Sequence, residues 1–119
     1  MSTKPQLKTL KNGMKAIFVP QKGATSTTVM VFTKVGSRYE SPEINGASHF
    51  IEHLMFKGTK RRPTTLDVSK ELDRYGAEYN AFTSKDLTAY YVKMDATQTK
   101  LAIDLLHDMI FHSKYDAKE

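Results

Sequence analysis

The 119-residue chain contains no cysteine, so disulfide bonds and thiolate metal ligands are excluded and any metal site must be built from His, Asp and Glu. It has no apolar run near the roughly 18 consecutive residues that a membrane-spanning helix needs. Its opening residues, Met1-Ser2-Thr3-Lys4-Pro5-Gln6, lack the apolar core of a secretory signal and the Arg-rich character of a transit peptide. That start favours the cytoplasm. A Gly-rich phosphate loop, a zinc-knuckle pattern, an internal repeat and a low-complexity segment are also missing.

What is present suits one folded domain spanning 1–119. Hydrophobic residues make up 39% and charged residues 26%, enough of both for a core and a solvated surface. The net charge of +5, sharpened by Lys57, Lys60, Arg61 and Arg62 in KGTKRRP, raises the question of nucleic acid. A basic patch binds phosphates only as a continuous face of a suitable module, and none is recognisable here. The stretch reads instead as a solvated loop behind a helix, where cations favour the negative end of the dipole. Neither nucleic acid nor a membrane is expected as a partner.

Periodicity divides the chain into alternating elements. Leu7 to Leu10 and Met14 to Val19 flank Asn12-Gly13, a pair suited to a tight hairpin. Thr27 to Val35 is β-branched and apolar on both faces, which predicts a strand lying centrally in a sheet. After a loop marked by Pro42 and Asn45-Gly46, Ala47 to Lys57 runs without a breaker to Gly58, as a helix with a glycine cap does. A second helix is predicted from Thr65 to Tyr75, with Thr64 as N-cap and Val68, Leu72 and Tyr75 on one face. Strands over Glu78–Thr83 and Leu87–Met94 follow, joined by Ser84-Lys85-Asp86. A last helix begins near Ala96, where Asp95 and Gln98 have capping-box spacing, and buries Ala102, Leu105, Leu106, Met109 and Ile110. The order βββααββα predicts an α+β fold, a mostly antiparallel sheet with helices packed on one face.

The most specific local signal is His49-Phe50-Ile51-Glu52-His53. At about 100° per residue, His49, Glu52 and His53 share an arc of roughly 100° on one helix face. Two imidazoles so placed can grip one ion. The glutamate precedes the second histidine, the His-x-x-Glu-His order of the inverzincin peptidases. A catalytic zinc, Zn2+, uses three protein ligands and an open position for water, and Glu52 is placed to act as the general base beside it. Phe50, Ile51, Leu54 and Met55 would anchor the remaining faces in the core. Taken alone, a histidine pair four apart is more often a satisfied surface or core pair than a metal site.

Resemblance across nearly the whole chain tips that balance. LKNGMKAIFVP, VGSRYE, NGASHFIEHLMFKGT, YGAEYNAFTSKDLTAYY and LLHDMIFHSKYDAKE resemble, in order, the N-terminal part of the pitrilysin and insulin-degrading-enzyme family, which includes the mitochondrial processing peptidases. The resemblance implies a zinc metalloendopeptidase with His49 and His53 as zinc ligands and Glu52 as catalytic base. It implies that Asn80 and Ala81 bind the backbone of an extended peptide substrate at a strand edge, by β-augmentation. It places the third zinc ligand, a glutamate, near position 130, and Glu119 is too early by register. The chain then reads as a partial first domain with little activity of its own, self-associating or completed by the rest of a parent chain or a partner subunit. A non-catalytic scaffold subunit of the same fold is the alternative. His107 and His112, about 140° apart on their helix, read as surface residues, Glu71 and Asp73 as a solvated face, and Glu78 as a remote candidate for an auxiliary ligand.

Overall fold

The computed structural model describes residues 4–115. The hairpin expected around Asn12-Gly13 is formed by β1 (Gln6–Thr9) and β2 (Lys15–Phe18), antiparallel, with Leu7 opposite Ile17. Gly13 takes the positive φ of 87° that such a turn demands. The pair forms a two-stranded sheet by itself and is almost wholly exposed.

The second sheet carries the core. β3 (Ser26–Thr33), β4 (Glu78–Thr83) and β5 (Thr88–Asp95) are antiparallel in the order β3-β5-β4. Tyr90, Val92 and Met94 of β5 point to one face, with Val29, Val31, Tyr79 and Ala81 beside them. That face is covered by α1 (Ala47–Leu54), α2 (Thr65–Arg74) and α3 (Thr99–His112) through Met55, Val68, Leu72, Ala102, Leu105, Leu106 and Met109. The chain is thus mixed α+β with helices on one side of an antiparallel sheet. Among the described residues, no helix is long and apolar enough to cross a membrane.

Three expectations are corrected. The segment predicted to be central, β3, is an edge strand, and β5 holds the centre. Apolar residues on both faces report what covers a strand above and below, not which strands bond to its sides; Met30 and Phe32 on the far face of β3 lie open to solvent. The motif helix ends at Leu54 rather than Lys57, with Met55 as C-cap. Gly58 instead sits at φ 129° where a Cβ would lie 2.5 Å from the Pro63 carbonyl oxygen, so it closes a loop. The last helix starts with a 3₁₀ turn, Ala96–Gln98, whose first amides are capped by Asp95 through Thr97, and Gln98 contributes no side-chain cap. Thr64, by contrast, forms a full capping box with Asp67.

Candidate metal centre and substrate edge

The loop before α1 is fixed at both ends. The Arg38 N–H donates to the Lys85 carbonyl at 2.9 Å, and its guanidinium pairs with Asp86 at 2.9 Å. The Gly46 N–H donates to Glu40 Oε2 at 2.8 Å, and Gly46 itself, at φ 92°, supplies the left-handed residue from which the helix departs. Helix α1 lies at the rim of the molecule, against β4. Only part of its apolar surface is therefore covered: Ser48 and Met55 are buried, but Phe50 and Ile51, expected to anchor the helix, are exposed.

On the open face of α1 the two histidines converge. His53 Nε2 lies 3.1 Å from His49 Nε2, with ring centroids 4.6 Å apart at 63°. That separation suits one shared proton, and it equally suits one shared ion: tetrahedral zinc with bonds of about 2.0–2.1 Å sets two imidazole nitrogens about 3.3 Å apart. Both rings are exposed, so an ion can reach them without opening the core. Glu52 is half-buried, and its Oε2 accepts a short hydrogen bond from Thr83 Oγ1 at the end of β4. Tyr90 lies in the same quarter. Burial first, and the Glu52 charge second, push its phenol up to about 12. Among the described residues no three His, Asp or Glu side chains gather as a ligand set. Glu119 lies outside the described residues.

Strand β4 offers its free side next to this centre. Ser84 N–H donates to the Leu87 carbonyl at 2.8 Å, closing the β4–β5 hairpin. Counting back through the antiparallel alternation, Phe82 and Asn80 bond to β5, while Thr83, Ala81 and Tyr79 turn their main-chain groups outward. Ala81 N–H is held by the Asn80 side chain, Oδ1 at 2.8 Å. Asn80 and Ala81 thus sit together on an open edge, and Phe82, 46% exposed, stands on its far face.

Other polar residues fall into place differently from their sequence reading. Arg62, read as part of a solvated loop, is 5% exposed. Its guanidinium donates to Asp108 Oδ2 at 2.6 Å, to Glu71 at 2.5 and 2.9 Å and to Asp104 at 3.3 Å. Thr59 Oγ1 donates to the same Asp108 oxygen at 2.7 Å. Glu71, half-buried, is therefore tied to the buried Arg62 guanidinium and not turned freely to solvent. Nothing local distinguishes Arg62 from its neighbours Lys60 and Arg61; Thr83 was missed for the same reason. His107 and His112 approach to 5.5 Å between ring centroids, with Phe111 against His107. Glu78 lies at the start of β4, opposite Lys93, away from the Thr83 end that meets Glu52.

The family model described as Insulinase (Peptidase family M16) matches residues 16–119. The chain is 41% identical over 111 residues to an uncharacterized zinc protease of Bacillus subtilis, covering 93% of this chain and 27% of that protein. It is 43% identical over 102 residues to another from Streptomyces coelicolor, covering 86% and 22%. To a probable mitochondrial-processing peptidase subunit beta of Arabidopsis thaliana it is 40% identical over 108 residues, covering 91% and 20%. The crystal structure of a protease from Helicobacter pylori superposes with a TM-score of 0.89 at 31% identity, covering 99% of this chain and 28% of that one. The chain spans about a quarter of the length of these relatives.

Proposed function

The chain belongs to the insulinase family of peptidases, family M16, and from that premise we propose that it carries the reactive part of a zinc metalloendopeptidase centre. The observation that supports this best is the pair of histidine nitrogens 3.1 Å apart with Glu52 on the same helix face. In this reading His49 and His53 hold Zn2+ and a third ligand comes from outside the described residues. Zinc held there would supply Lewis acidity, making a water more acidic and polarising a carbonyl.

The chain's own groups do the rest. An extended peptide pairs with the free edge of β4, its backbone bonding to Ala81 and to Asn80, which gives affinity without demanding particular side chains. Glu52 takes a proton from the attacking water as the water oxygen bonds to the carbonyl carbon. It then delivers that proton to the amine nitrogen as the C–N bond breaks. The relatives' names carry zinc protease and processing-peptidase activities, and retention of His49, Glu52 and His53 favours catalysis over a scaffold role.

The test is zinc stoichiometry and peptide cleavage for residues 1–119 and for a chain extended to the length of its relatives. The extended chain is expected to bind one zinc tightly and cleave; the 119-residue chain is expected to bind zinc weakly through His49 and His53 and to cleave little. Glu52→Gln should abolish cleavage with zinc retained, and His49→Ala should abolish both. Robust cleavage by Glu52→Gln would overturn the assignment of the base.

A further inference from the structure

We propose that Thr83 is a positioning residue for the catalytic carboxylate, tying the substrate-binding strand to the general base. The inference rests on the reading of Glu52 as base given above. The Thr83 hydroxyl donates to Glu52 Oε2 across 31 residues of sequence, the side-chain hydrogen bond that links β4 to helix α1. Thr83 thus holds one oxygen of the half-buried carboxylate.

The hydroxyl is itself fixed. Thr88, 1% exposed, lies directly across the ladder from Thr83, with the two Oγ1 atoms 3.5 Å apart. Thr88 gives its own proton to the Val35 carbonyl at 2.9 Å, while Thr33 Oγ1 donates to the Thr88 carbonyl at 3.1 Å. The γ-methyl group of threonine further restricts its side-chain rotation in a strand. Thr83 Oγ1 thus sits between Thr88 and the Glu52 carboxylate, to which it donates.

The location gives this bond a purpose beyond packing. Thr83 follows Asn80 and Ala81 on the same strand and turns its main chain to the same open edge as Ala81. A peptide docked along that edge is registered against β4, and Thr83 registers β4 against the base. Misplacing a reacting group by about 1 Å can cost on the order of 100-fold in rate, and partners that orient active-site groups typically contribute about 10–100-fold.

The test uses the chain extended to the length of its relatives and loaded with zinc. Thr83→Val removes the hydroxyl at nearly constant shape, and Thr83→Ser keeps it. Thr83→Val is expected to lower kcat by about 10–100-fold with KM within about twofold and zinc stoichiometry unchanged, and Thr83→Ser to recover most of the loss. In the metal-free 119-residue chain, the Glu52 side-chain carboxyl 13C resonance should shift in Thr83→Val and return in Thr83→Ser, which reads the contact without turnover. An unmoved resonance, an unchanged kcat in Thr83→Val, or a serine variant as impaired as valine would each overturn the positioning role. If Glu52→Gln abolishes cleavage while Thr83→Val is fully active, only this inference fails; if Glu52→Gln still cleaves, the base assignment fails and this inference with it.

Discussion

Arg62 is the residue on which the loop behind helix α1 depends. Its guanidinium neutralises Asp108, whose carboxylate is fully buried and whose Oδ1 has no partner among the described residues. Arg62→Ala would leave that charge with Thr59 alone, and breaking a buried pair from one side costs about 3–5 kcal/mol. The urea midpoint should fall accordingly; a variant as stable as the parent would show that the Arg62–Asp108 pair adds nothing. Hydrogen bonds from Arg62 hold the Glu71 carboxyl below its ordinary 4.5, and those from Arg61 hold Asp104 below 3.8. Depressed values mean that the stability these groups add is complete above the ordinary ones and is lost as pH falls through the depressed ones, so acid titration should reveal it below pH 4.5. Both carboxylates are partly solvated, and salt will weaken the effect. At this scale the sequence is readable only where partners are close along the chain. His49, Glu52 and His53 lie within one helix, so their convergence follows from helix geometry. Thr83 meets a partner 31 residues away and Arg62 one 46 away, and no spacing rule announces either.

Among elements, the β4–β5 hairpin matters most, because it carries both the open edge proposed for substrate and Thr83. Its turn is gripped by Gly36: a Cβ there would lie 2.5 Å from the Ser84 carbonyl oxygen and 2.6 Å from that of Lys85. The backbone of Gly36 is extended and open to any residue, so the requirement is for space alone. Gly36→Ala must push the turn away from the loop that leads into α1, at a cost of roughly 1–3 kcal/mol. Thermal unfolding should register that loss, and faster amide exchange at Ser84 to Leu87 should locate it. An alanine variant with parental stability and exchange would show that the turn yields freely. The elements themselves were legible from breakers and caps, with Thr64 and the Asn12-Gly13 turn as the clearest cases. What escaped was lateral order in the sheet. β3 and β5 are both β-branched and apolar, and only the ladders, with β5 bonded on both sides and β3 on one, separate centre from edge.

For the molecule as a whole, exposed surface is the dominant fact. The accessible area is 8794 Å², against about 6,500 Å² for a compact monomer of 13.5 kDa. Part of the excess is the β1–β2 hairpin, where Leu7 and Ile17 face each other across the strands at 64% and 68% exposure. Another part is the far face of the sheet, with Met30, Phe32 and Phe82 uncovered. The free edge of β3 adds a template for strand pairing: STTVMVFT has no charge and no proline to deter a second strand. A chain with these features lowers its free energy by covering them, and in isolation another copy is the available cover. The 119-residue chain is therefore expected to self-associate, with a weight-average mass in sedimentation that rises with concentration. Lysine at Thr28 and Phe32, on the exposed face of the β3 edge, should shift that curve toward monomer while leaving the buried face of β3 intact. A parent chain that remains monodisperse and monomeric at high concentration would contradict the argument, and lysines without effect would move the contact to the hairpin.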